Sequence, residues 1–93
     1  MADVNTNMRK DAFFALIYAP NYKKHLDFAG YVRSISSVNS EGNFDVLPMH
    51  ENFVTLLLGK LVVVDEKGKS LEFQVEQALL EASNNLVRVY VDF

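Results

Sequence analysis

Leu61-Val62-Val63-Val64-Asp65-Glu66-Lys67-Gly68-Lys69-Ser70-Leu71-Glu72-Phe73-Gln74-Val75 is the stretch that decides the fold. It opens on an apolar, β-branched run and passes through a charged turn. It then alternates strictly: Leu71, Phe73 and Val75 fall on one face, Glu72, Gln74 and Glu76 on the other. A period of two is that of a strand with one face buried. Gly68 supplies the positive φ such a turn needs, so the stretch reads as a β-hairpin.

The same grammar extends in both directions. Downstream, Ala78 to Glu81, the turn Ala82-Ser83-Asn84-Asn85 and the run Leu86 to Val91 read as a second hairpin, because Asn tolerates left-handed φ. Upstream, Asn52 to Leu58 is an apolar strand that Gly59 breaks, and Phe44 to Leu47 is a short or edge strand stopped by Pro48. Asn39 to Asn43 is a turn with Gly42 at positive φ, and Tyr31 to Val38 is a strand set off by Gly30. Asn21 to Phe28 reads as a half-buried strand. Ala12 to Ala19, ended by Pro20, suits a strand with both faces covered. The sum is an all-β, flattened sandwich of about eight to ten short strands. Residues 1–11 read as a flexible tail and residues 12–93 as a single domain.

Composition bounds the chemistry. Of 93 residues, 49% are hydrophobic and 23% charged, which suits a globular domain. With no cysteine there is no disulfide, thiolate metal site or cysteine nucleophile. His25 and His50 lack metal-ligand spacing. The net charge of −3 and the scattered basic residues argue against a nucleic-acid partner. The runs Phe13 to Ala19 and Leu61 to Val64 are far short of a membrane span, so no direct membrane insertion is expected. There is no G-x-S-x-G elbow, P-loop or G-x-G-x-x-G. The carboxylates, from Asp27 to Glu81, lie mostly at turn or outward positions and read as solvated surface. The aromatics lie within apolar strand runs and read mostly as core. No enzyme activity and no cofactor are expected.

One block is more specific. Gly42-Asn43-Phe44-Asp45-Val46-Leu47-Pro48-Met49-His50-Glu51-Asn52-Phe53, continued by Thr55-Leu56-Leu57 and Gly59-Lys60-Leu61, resembles the N-terminal β-sandwich domain of the epsilon subunit of F-type ATP synthases. Ile17-Tyr18-Ala19-Pro20 is similar to the end of that family's first strand. Val75, Leu79-Leu80-Glu81 and Asn85-Leu86-Val87 are similar to its last hairpin. The likeness runs over about residues 13–92.

The resemblance implies a rotor central-stalk component without catalytic residues, coupling the gamma subunit to the c-ring of a proton-translocating ATP synthase. It implies partner-contact loops at Gly42, Asn43 and Phe44 and at Pro48, Met49 and His50. It implies a cytoplasmic protein, peripheral to the inner or plasma membrane through the complex. Three departures stand beside it. Gln77-Ala78 replaces the usual Gly pair, Asn43 replaces a Glu found in some members, and the family's C-terminal helical hairpin is not found before Phe93. Regulatory switching and nucleotide binding are therefore not carried over. The competing reading is a free-standing interaction module that keeps the sandwich and has left the ATP synthase, using its sheet edges to bind.

Overall fold

Alternation of apolar and polar residues turns into rows of side chains once the strands are paired. The computed structural model describes residues 10–18 and 26–92, all as strand, turn or loop. Six strands form: β1 (Phe13–Tyr18), β2 (Leu26–Asn39), β3 (Gly42–Val46), β4 (Phe53–Asp65), β5 (Ser70–Ser83) and β6 (Leu86–Val91). Their order is β1-β6-β5-β4-β2-β3, and β1 also pairs with β2, so five strands close on themselves while β3 hangs on β2. All pairs are antiparallel except β1 with β6.

The closed ring is flattened into two layers because its three longest strands serve both. β2 pairs through Leu26–Val32 with β1 and through its second half with β3 and β4. β4 pairs with β5 along nearly its whole length but with β2 only beyond Gly59. Each long strand turns where the register slips: at Arg33 in β2, and at Gly59 in β4 opposite the extra residue Glu76 in β5. A β-bulge bends its strand and increases the local twist, which carries the chain around a sandwich corner. Gly59 sits at φ 88°, a conformation costly for any residue with a Cβ.

This corrects the strand count. Six long or short strands replace the eight to ten expected, because Gly30 and Gly59 do not end strands. Gly30 lies inside β2, and Gly59 marks a bend inside β4. Likewise Ser70 to Val75 and Ala78 to Glu81 are halves of one strand, β5. Other expectations stand: Gly42 is at φ 115°, Gly68 at 90°, Asn84 at 48° and Asn85 at 59°. β3 is five residues long and lies at the sheet's end, as Pro48 requires. Residues 1–9 of the expected tail over residues 1–11, the start of the strand Asn21 to Phe28 with His25, and the Ala19-Pro20 end of the first apolar run lie outside the described residues.

The core is built from inward rows. In the first layer Val46, Ile35, Val63 and Leu71 align across β3, β2, β4 and β5. In the second, Phe28, Ile17, Val89, Leu80 and Thr55 align across β2, β1, β6, β5 and β4. Phe13, Ile17, Ile35, Leu57, Leu61 and Leu80 are fully buried. Each such side chain contributes roughly 1.5–3 kcal/mol on leaving water. Buried Ser37 is satisfied by donating to the Lys60 carbonyl at 2.6 Å.

Two aspartates hold the bends and turns. The Asp65 carboxylate accepts the backbone N–H groups of Lys67 and Lys69, each at 2.9 Å, and so closes the β4–β5 turn. The bond from Lys69, with that from Lys67 and the two lysine charges, holds the Asp65 carboxyl below the ordinary 3.8. The Asp92 carboxylate accepts from Glu76 N–H at 2.9 Å and Gln77 N–H at 3.2 Å, while Asp92 N–H donates to the Gln77 carbonyl at 2.7 Å. It thus caps the bulge that Glu76 creates, beside Gln77-Ala78.

Two outcomes are expected. Asp92→Ala leaves the two bulge donors to water and lowers stability by about 1 kcal/mol in urea unfolding, and Asp92→Asn, which keeps an acceptor, recovers part of it. A carboxyl with a depressed folded-state pKa stabilises the fold above its unfolded value and loses that contribution as pH falls through the folded one. Melting curves between pH 7 and pH 2 should therefore show a shallower acid-side loss in Asp65→Asn than in the unaltered chain.

Candidate functional site

The two sequence-identified loops converge on the start of β4. In the β2–β3 turn, Asn39 Oδ1 accepts the Glu41 N–H at 2.9 Å, an Asx turn that lets Gly42 begin β3. Asn39 Nδ2 reaches Thr55 Oγ1 at 3.1 Å, tying this turn to β4. Asn43 and Asp45 project outward, Asp45 taking a 2.5 Å bond from Ser36 Oγ, whereas Phe44 turns inward against the core. Of the first trio, only Asn43 has an exposed side chain.

The second loop, residues 47–52, is pinned by Asn85. The Asn85 Oδ1 accepts Met49 N–H at 2.9 Å, its Nδ2 donates to the Ala12 carbonyl at 2.8 Å, and its own carbonyl accepts Phe14 N–H at 3.1 Å. One buried residue of the β5–β6 turn therefore fixes both the loop and the start of β1. Asn52 Oδ1 adds a bond from Asn84 N–H at 3.2 Å. Met49 is held at φ 63° and is exposed, as is Leu47. Pro48 is half-buried.

His50 faces the other way. Its ring stands edge-on to Phe13, with centroids 5.3 Å apart and planes at 87°. Its Nδ1 lies 3.2 Å from the Glu51 carbonyl, and its Nε2 is buried with no hydrogen-bond partner among the described residues. The imidazole props the loop against β1, and Met49 and Leu47 are what the loop presents outward.

Sequence reasoning missed a larger feature. The outer faces of the two layers differ in chemistry. On the first, Asp45, Ser36, Val62 and Glu72 form one cross-strand row, largely polar. On the second, Leu26, Tyr18, Tyr90, Leu79 and Leu56 form a row across all five strands. Tyr18 and Tyr90 stack with centroids 5.0 Å apart and planes at 4°, and Phe14 meets Tyr31 edge-on at 5.1 Å. Arg88 and Glu81 sit opposite each other in the adjoining row. Burial, with the Glu81 charge and Tyr18 adding to it, pushes the Tyr90 hydroxyl above its ordinary 10.0. The aromatics thus divide: Phe13, Phe28, Phe44, Phe53 and Phe73 join the core or pack against it, while Phe14, Tyr18, Tyr31 and Tyr90 face out. The available signal was the doubly apolar run Phe13 to Tyr18, which has no polar face to give to water.

Among the described residues, no group of three or more His, Asp or Glu side chains could hold a metal ion. Among the described residues no helix is long and apolar enough to cross a membrane.

The fold and these surfaces define a β-sandwich domain with one polar and one apolar outer face. Residues 23–93 match the family described as ATP synthase, Delta/Epsilon chain, beta-sandwich domain, and the chain belongs to that family. No curated protein sequence matches it. Among solved structures it is similar to a chain of the Euglena gracilis mitochondrial ATP synthase, OSCP/F1/c-ring in rotational state 1, at 20% identity and a TM-score of 0.77. That likeness covers 94% of this chain and 54% of the other. A chain of the Tetrahymena thermophila mitochondrial ATP synthase central stalk/c-ring is similar at 18% identity and a TM-score of 0.67, over 90% of this chain and 64% of that one. The chain therefore spans between half and two-thirds of the length of these two, and at such identities the likeness is one of fold.

Asn85→Ala removes two side-chain hydrogen bonds and leaves a Cβ residue at φ 59° without compensation. It should cost about 2–4 kcal/mol and speed amide exchange at Met49 and Phe14, and a smaller loss is expected for Asn85→Gly, which relieves the backbone.

Proposed function

We propose that this domain is a rotor central-stalk component of an F-type ATP synthase, coupling the gamma subunit to the c-ring without catalysing a reaction itself. The observation that carries this reading is the contrast between the two outer faces. A soluble sheet normally gives its second face to water, with polar residues outward. Here the second layer instead offers aromatic and aliphatic side chains with Arg88 and Glu81 among them, the composition of an interface core with polar points of orientation. On this reading that face docks on the gamma subunit, the partner the resemblance implies; membership of an ATP synthase family supports it.

The loops around Asn43 and Met49 then meet the c-ring. Their side chains are exposed, while Asn39, Asn85 and His50 hold the backbone behind them. A rigid contact suits torque transmission, since a loop that yields would dissipate displacement. The mechanism is mechanical: the apolar face fixes the domain to the shaft and the pinned loops engage the ring. On this reading the protein sits at the membrane surface through the complex. No feature of the structure favours the free-standing module over this reading.

Titration calorimetry against the cognate gamma subunit tests it. Binding in the micromolar range or tighter is expected, with Tyr90→Ala weakening it about tenfold or more, as for a buried aromatic anchor. Absence of heat at tens of micromolar would sink the reading.

A further inference from the structure

The most exposed aliphatic side chains of β4 lie on six consecutive residues at an unpaired sheet edge. Phe53–Leu58 pairs only with β5 among the described residues, because the β2 ladder begins beyond the bend at Gly59. Val54, Leu56 and Leu58 project outward from this segment and are 61%, 51% and 49% exposed. Edge strands in monomeric proteins are normally guarded by lysine, proline, an inward-pointing charge or a bulge. The sequence Phe53-Val54-Thr55-Leu56-Leu57-Leu58 contains no charge and no proline, and Thr55 is engaged by Asn39 on the inner side. The β3 edge is guarded by comparison: it is shorter, carries Asp45 and is followed by Pro48.

We propose that the free edge of Phe53–Leu58 pairs antiparallel with the same edge of a second copy of this chain. The pattern is self-complementary. A two-fold axis at Leu56 sets the two copies of Leu56 opposite each other and Val54 opposite Leu58 of the second copy. Every outward pair in such a ladder is aliphatic, and antiparallel cross-strand pairs of this kind are the unit of sheet stabilisation. An interface of this sort is isologous and closes at two copies. Gly59 limits the ladder, because beyond it β4 bends into the first layer and its edge is taken by β2. The result is a short, weak dimer rather than an extending fibre. The pairing concerns the unassembled chain and does not rest on docking to the gamma subunit.

Sedimentation equilibrium of the chain alone tests it. The weight-average mass should rise from 10.5 kDa towards twice that value as concentration increases from about 5 to about 500 µM, the range of a small interface. Leu56→Lys and Val54→Lys, both at exposed outward positions, should keep the far-UV spectrum and abolish the rise. In the unaltered chain, amide exchange within Phe53–Leu58 should slow at least threefold over the same range, and that within β3 should not change. A constant mass overturns the proposal. So does a dimer that survives both lysine variants, or one whose protected amides lie in β3. Should a lysine variant unfold, the amide exchange of the unaltered chain decides alone.

Discussion

Three strands of this domain belong to two layers at once, and everything else follows from how they turn. β2, β4 and β5 are 13 or 14 residues long, more than one layer of a small sandwich needs. Each therefore bends, and an antiparallel ladder bends most readily where one strand carries a residue its partner does not match. Gly59 and Glu76 face each other at one such place. The bulge leaves backbone N–H groups without ladder partners, and the Asp92 carboxylate takes two of them. The chain keeps ordinary side chains at this corner and supplies an acceptor from the residue after β6.

Alternation made the pairing faces legible in advance. Leu71, Phe73 and Val75 do turn inward, and Gly42, Gly68 and the Asn84-Asn85 pair do carry the turns. The number of strands was not legible, for a physical reason. A bulge and a strand end both interrupt the period of two, and glycine is suited to either. Gly59 is a bend with the ladder continuing on both sides, which depends on what β5 does opposite it. The loop positions of the candidate site were readable from Gly42 and Pro48, but their roles were not. Phe44 and His50 pack inward, because β3 ends beside the start of β1 on the same strand and Phe13 offers a ring to cover. The apolar outer face was hidden by its own composition: in a run such as Phe13 to Tyr18, the sequence does not distinguish a face buried within the domain from one left for a partner.

Function, on the reading proposed, divides along the same line. The first layer has an outer surface that water can solvate, and the second has one that water solvates badly. A domain built this way is oriented before it binds, because only one broad face gains by being covered. The loops at the start of β4 gain rigidity from neighbours rather than from their own sequence. Asn85 alone spans the β5–β6 turn, the loop at Met49 and the entry to β1.

The parallel pairing of β1 with β6 has a consequence for how the domain comes into being. Phe14 lies beside Leu86, so the first strand and the last are neighbours in space and nearly the full chain apart in sequence. Hairpins β2–β3, β4–β5 and β5–β6 can form from local chain as it emerges during synthesis. The ring cannot close until β6 has been made, and contacts of such long sequence separation are slow to form. Until then β1 has only β2 beside it, and its two apolar faces are open. The architecture therefore asks most of the cell in the interval between the synthesis of the first strand and that of the last, when premature association competes with closure.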